Sequence, residues 1–338
     1  MALTSTEKLQ EVFSLALEQR SAGYQDLVSN ANAILFIMKQ RGMFQPFSGP
    51  TIRERLLYAE SGTYTRYSGF DFLNPQPMEL INDAEFTPKL AAVSVTLSNE
   101  DILKNSGSSQ LIDVMTTHIE AAEQELVDRF VEDLHSDGTQ TNQIGGLQTA
   151  IPTDPTAGTY GGIDRSVAAN AIWRTTKYDV DGDDISGATQ ITSSTVKNVW
   201  DQIIVQRSRG RKGPDLIAAS EQHYLAFSAA TETIQRITDE NKLGKLGFTN
   251  LRYYGGGKSI DVVLEGGIGS AMPDDVTYFI DTAGLKFRYH PDRNFVRFGG
   301  KQTPINQDAI VQHIGFFGEL TLINPLHMAK LYDSDTGS

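Results

Sequence analysis

The chain has 338 residues, of which 39% are hydrophobic and 21% charged, a composition that excludes disorder and predicts roughly two domains' worth of core. A formal net charge of −13 excludes nucleic acid or an anionic membrane as a partner of the surface as a whole. The absence of cysteine excludes disulfides, thiolate metal sites and a cysteine nucleophile.

The opening "MALTSTEKLQEVF" lacks the apolar centre of a signal peptide, and the longest apolar run, "AILFIM" at 33–38, is too short to span a bilayer. The sequence therefore reads as a soluble, cytosolically made protein. Residues 1–45 read as an arm: Thr4 and Glu7 have capping-box spacing before a weak amphipathic pattern (Leu9, Val12, Phe13, Ala16), which "RGMFQPFSGP" breaks.

Residues 52–97 read as an extended β-hairpin loop. "TIRERLLYAESGTYTRY" has strand composition, and "AAVSVTLS" alternates Val93, Val95 and Leu97 with Ser94 and Thr96. Between them "SGFDFLNPQPMEL" carries prolines and a glycine that exclude a regular element. Tyr64, Tyr67, Phe70, Phe72 and Leu73 in this middle section have no core of their own, which makes them candidates for contact with another subunit.

Residues 109–136 form the clearest predicted element. Leu111, Met115, Ile119, Ala122, Leu126, Phe130 and Leu134 recur every three or four residues, with charge on the other faces. Ser109 is the candidate N-cap and Gly138 the stop, and the helix is about 40 Å long at 1.5 Å per residue. A glycine-rich stretch, "GGLQTAIPTDPTAGTYGGIDRS", follows at 145–166. Beyond it a helix with Val196, Val199, Trp200, Ile203 and Ile204 on one face, the strand "PDLIAAS" and the helix "EQHYLAFSAATETIQRI" predict an α/β unit over about 165–300. Segments from 260 onward read as strands, the last of them, "AKLYD", returning to the long helix.

Chemical motifs are weak. "GGGKS" at 255–259 has Arg252 where a P-loop needs its first glycine, and a strand pattern follows where a helix should, so it reads as a turn. "DVDGDD" at 179–184 has Asp184 in place of the sixth-position glycine of a calcium loop and Gln190 in place of the closing glutamate, so it reads as a solvated acidic loop. The six histidines form no metal-binding pair, no Gly-x-Ser-x-Gly elbow occurs, and no carboxylates stand out as an acid–base pair. No cofactor, metal or catalytic residue is assigned. The dense basic patch "RSRGRKG", with Arg207, Arg209, Arg211 and Lys212, reads as a loop tip that salt-bridges an acidic neighbouring subunit; nucleic acid is the alternative partner, although no aromatics interleave.

The run from "FTPKLAAVSVTLSNEDILKNSG" through the long helix to "SDGTQTNQIGGLQTAI" and "GTYGGIDRS", with "YFIDTAGLKFRYHPDRNFVRF", "TPINQDAIVQHIGFFGELTLINP" and "KLYD", resembles the major capsid proteins of tailed bacteriophages over most of 50–333. The resemblance implies an α+β fold of the Hong Kong 97 type. Its parts would be an N-terminal arm (1–45), an extended loop (52–97), a peripheral domain (98–140 and 300–333) with the spine helix, and an axial domain (141–299). It implies a structural, non-enzymatic protein that self-assembles into hexamers and pentamers of an icosahedral head enclosing double-stranded DNA without reading its sequence. That protein would be assembled in the host bacterial cytoplasm and located in the virion. The partners implied are further copies of the chain, a portal and, in some relatives, a decoration protein; because the arm is short, either a separate scaffolding protein guides assembly or none is needed. No lysine–asparagine cross-link is assigned. An encapsulin-like nanocompartment shell is the alternative of the same fold, and a calcium- or nucleotide-dependent enzyme using "DVDGDD" or "GGGKS" is the alternative of another class.

Overall fold

A computed structural model describes residues 32–57, 64–72, 81–98, 100, 108–181, 184–185, 187–232, 251–266, 271–302 and 308–333. Its helices are α1 (Ala33–Gln40), α2 (Ser108–Leu134), the single turn α3 (Leu147–Ala150), α4 (Val196–Arg207) and α5 (Glu221–Glu232). The first strands are β1 (Phe44–Pro46), β2 (Ile52–Leu57), β3 (Ile81–Phe86), β4 (Lys89–Ser98), β5 (Thr159–Tyr160) and β6 (Ile163–Asp164). Then follow β7 (Thr176–Asp179), β8 (Leu216–Ala219), β9 (Leu251–Gly255), β10 (Lys258–Leu264), β11 (Val276–Ile280), β12 (Leu285–Gln302), β13 (Ala309–Leu322) and β14 (Ala329–Tyr332).

Two sheets organise the chain. The first has the order β1-β12-β13-β4 and carries α2 on one face. Alternation dictates that contact: Val93, Val95 and Leu97 of β4 are buried, whereas Leu90, Ala92, Ser94 and Thr96 point to solvent. The helix answers with a stripe of Ile119, Ala122, Leu126, Val127, Phe130 and Leu134, all buried. Phe130 sits in an aromatic nest, with its ring centroid 5.3 Å from Phe287 and 5.1 Å from both Phe295 and Phe316. Helix α2 closes near the expected stop, Gly138, which takes φ +70°.

The second sheet has the order β7-β14-β11-β8-β10-β9. Helix α4 buries all five residues expected on its inner face. Trp200 is fully buried there, with Phe227, Tyr253 and Phe279 rings 4.8, 5.5 and 6.2 Å away.

Four placements differ from the sequence reading. Strand β14 does not return to the long helix; it pairs with β11 and β7 inside the second sheet, where alternate residues Ala329 and Leu331 join the Trp200 core. Residues 285–299 do not belong with the α/β unit, because β12 runs on through them against β13, absorbing "HPDRN" in register shifts after Tyr289. The strand that returns from the extended loop is β3, which pairs antiparallel with β2, whereas "AAVSVTLS" belongs to β4 and pairs with β13. The end of the arm is not loose: α1 is buried, with Ile34, Leu35, Ile37 and Met38 at most 1% exposed. The capping pattern at Thr4–Glu7 lies outside the described residues.

Helix α1 is pinned at both ends by residues distant in sequence. Asn32 Oδ1 accepts from the amides of Ile34 (2.9 Å) and Leu35 (3.2 Å). The buried Glu265 adds a second cap, its Oε1 accepting from Ile34 N (2.9 Å) and its Oε2 from Asn32 Nδ2 (2.7 Å) and facing His135 Nε2 at 3.3 Å. After its last turn, Arg41 bridges Asp215 and Asp261, both at 2.7 Å.

Candidate assembly interface

The extended loop has a fixed base and an open tip. At the base, Ile52, Leu56, Ala84 and Phe86 of β2 and β3 are buried. Glu54, with a side chain 6% exposed, receives Arg288 Nε at 2.6 Å and Thr321 Oγ1 at 3.3 Å. Arg288 Nη1 also donates to Gln45 Oε1 at 2.8 Å, so arm, loop and first sheet meet at one guanidinium.

The glycine-rich stretch fastens this base. Gly161 takes φ +58° and its carbonyl accepts from Glu85 N at 2.9 Å. A Cβ there would lie 2.9 Å from the Phe86 ring and 3.0 Å from Ala84, so glycine is required on two counts. Phe86 packs edge-on to Tyr160, whose carbonyl accepts from Trp173 Nε1 at 2.8 Å. Arg165 lies over the Tyr160 ring at 4.7 Å and donates to the carbonyls of Thr149 and Ala150, at 3.2 and 2.9 Å.

The stretch also seals the end of α2. Gly145 N donates to Glu319 Oε1 at 2.7 Å, and Gly146 packs against the carbonyls of Asp133 and Leu134. Burial pushes the Glu319 carboxyl up to about 8. Burial first, then the neighbouring Glu132, raises Asp133 to about 6. Gly145, Gly146 and Gly161 thus make this stretch a joint, with close approaches to strand β13, the long helix and the loop base.

At the tip, Tyr64, Tyr67, Phe70 and Phe72 stand 84%, 64%, 104% and 98% exposed. Single exposed aromatics are ordinary, but four within nine residues form an apolar patch without a cover among the described residues. Leu73 lies outside the described residues.

The basic patch divides in two. Arg207 ends α4 and is held within its own chain: Nη1 donates to Thr176 Oγ1, and the guanidinium lies 5.8 Å from the Tyr178 ring centroid. Arg209, Arg211 and Lys212 are exposed on a turn in which the backbones of Arg209 and Lys212 bond each other. "GGGKS" is the β9–β10 turn, with Gly256 and Gly257 at φ +56° and +78° and Lys258 opening a strand. "DVDGDD" begins at the end of β7, and its middle lies outside the described residues. Among the described residues no three metal-ligating side chains converge, and no helix is long and apolar enough to cross a membrane.

The node of Asn32, Glu265 and His135 and the pair of Arg41 with Asp215 and Asp261 went unread in the sequence, because their partners are separated by more than a hundred positions. Asn32 preceding an apolar run was the one available sign.

No protein-family model matches the chain, and no curated protein matches it. Solved structures do. The cyanophage A-1(L) capsid asymmetric unit matches at 16% identity with a TM-score of 0.59, covering 88% of this chain and 92% of that one. The capsid of the native GTA particle matches at 10% identity with a TM-score of 0.56 over 90% of each chain. A structure from Mycobacterium phage Bobi matches at 12% identity with a TM-score of 0.51, covering 87% of this chain and 88% of that one. The chain has the Hong Kong 97-type phage capsid fold.

Proposed function

We propose that the chain is a major capsid protein whose copies assemble, as hexamers and pentamers, into an icosahedral phage head around double-stranded DNA. The observation that carries this reading is the extended loop: a rigidly anchored base ending in four exposed aromatics, on a fold shared with capsid subunits. Such a tip is stabilised by a surface on another copy, and closed shells are built from repeated contacts of this kind. The exposed turn at Arg209, Arg211 and Lys212 is a second contact, directed at acidic groups of the neighbour. A scaffolding protein, a portal and a decoration protein are the further partners this role calls for.

The test replaces residues 62–80 by a short Gly-Ser turn and images parent and variant by electron microscopy, with circular dichroism as the folding control. The parent should form shells, and the variant should keep its secondary structure without forming them. Intact shells from the variant would remove the loop from the mechanism. A parent that scatters light as a single chain at every salt and protein concentration would refute the shell reading itself. Extraction of shells formed in cells separates the roles: DNA marks a phage head, an enzyme cargo a nanocompartment.

A further inference from the structure

Strand pairing in the second sheet produces an uncommon juxtaposition. The parallel register of β7 and β14 sets Lys177 directly beside Lys330, and the antiparallel register of β11 sets Tyr278 on the other side of Lys330. Like charges opposed on neighbouring strands repel. Burial makes this pair worse, because Lys330 is only 4% exposed.

The Lys330 ammonium has three protons to donate. It gives one to Thr153 Oγ1 at 2.7 Å, lies 5.7 Å from the Tyr278 ring centroid, and is pushed down to about 8 by burial alone, with no carboxylate offsetting that effect. Thr175, 3% exposed, has a buried hydroxyl oxygen without a hydrogen-bond partner. Thr153 and Thr175 both line an open groove of about 560 Å³, together with Arg174, Lys177, Asp154 and Asp184.

The groove lining carries two cations, Arg174 and Lys177, and two carboxylates, Asp154 and Asp184, and the buried Lys330 adds a third cation behind Thr153. Asp154 is also engaged locally, its Oδ1 accepting from Thr156 N at 2.9 Å and Thr156 Oγ1 at 2.7 Å. Thr153 accepts from Lys330, which leaves its own proton to donate onward. Arg174 is fixed in place by donating to the carbonyls of Arg165, Ser166 and Val167.

We propose that this groove is an oxyanion site for a carboxylate or phosphate group, with Lys177 and Arg174 supplying charge and the hydroxyls of Thr153 and Thr175 donating hydrogen bonds. Lys330 acts from behind, polarising Thr153. The oxyanion comes either from a free small anion or from an Asp or Glu side chain of a second copy.

The test measures melting of the full chain, before and after assembly, against inorganic phosphate, with sodium chloride at matched ionic strength as control. The unassembled chain should show a saturable, phosphate-specific rise in Tm. Lys177→Gln and Thr175→Val should each raise the half-saturating phosphate concentration at least tenfold. Lys177→Gln changes an exposed side chain and should fold, so the test stands even where the buried Thr175→Val does not. A free-anion site keeps the phosphate response in assembled particles; a neighbour's carboxylate abolishes it there, and Lys177→Gln then also weakens assembly. A Tm of the unassembled chain that phosphate moves no more than chloride overturns the proposal, as does a phosphate response in both variants equal to the parent's. The unassembled arm is independent of the shell reading, so each fails separately.

Discussion

Replacing Glu319 by Gln should flatten the pH dependence of stability and stabilise the chain under alkaline conditions. Glu319 is 7% exposed, and its one short bond, from Gly145 N at 2.7 Å, goes to an oxygen that a glutamine carbonyl reproduces. Burial raises its carboxyl from 4.5 to about 8, ahead of the opposing bond from Gly145 and the charge of Lys89. A folded-state value above the unfolded one means that the native chain holds the extra proton. Stability is then fully present below pH 4.5 and is lost as pH rises towards 8. At about 1.4 kcal/mol per pH unit, the interval amounts to roughly 5 kcal/mol for a group this buried. The assay is urea unfolding of the chain between pH 5 and 9, comparing parent and Glu319→Gln. The difference between them should grow with pH and level off above 8, while Asp133, raised to about 6, leaves a smaller common slope in both. A variant that tracks the parent at every pH would show that Glu319 is solvated and that the seal around Gly145 is not dry.

Three further outcomes follow from the packing. Phe130→Ala opens a hole among Phe287, Phe295 and Phe316 and should cost about 3–5 kcal/mol, seen as a lower urea midpoint with unchanged slope. Glu54→Ala strands the Arg288 guanidinium, only 18% exposed, and should cost about 3 kcal/mol in the same assay, more than Arg53→Ala at the exposed Arg53–Glu85 pair, which should cost under about 1 kcal/mol. Gly161→Ala forces a side chain into φ +58° against Phe86 and should cost about 1–3 kcal/mol, with increased protease cleavage at the loop base.

The parts of the fold that were legible in the sequence are those whose partner is a broad face. Helix α2 and helix α4 show a 3.6-residue apolar period because each lies on one sheet, and the residues named from that period and described in the structure are the ones buried. Helix α1 showed no period because it is surrounded: with Ala33, Ile34, Leu35, Ile37 and Met38 all buried, "AILFIM" has no solvent face to alternate with. Strand β3, "INDAEF", carries Asp83 and Glu85 on its outward positions and only Ala84 and Phe86 as described inward ones, so its composition conceals a strand that its pairing with β2 makes plain. Pairing order across a sheet is likewise invisible locally. Nothing in "AKLYD" distinguishes a strand beside the long helix from one between β7 and β11.

The same limit explains the divided fate of the expected contact residues. Exposure of Tyr64, Tyr67, Phe70 and Phe72 followed from prolines and glycines that deny the segment a core, a local cause with a local signature. Arg207 and Arg209 are neighbours in one basic run, yet one is tied to Thr176 and Tyr178 while the other faces solvent, because α4 ends between them and turns the chain outward. Charge density in sequence therefore locates a surface loop, and the helix end decides which of its cations is free to meet a neighbour. In the proposed assembly, the cation held at the helix end would let the exposed turn meet the next copy from a fixed position, with less ordering cost on association.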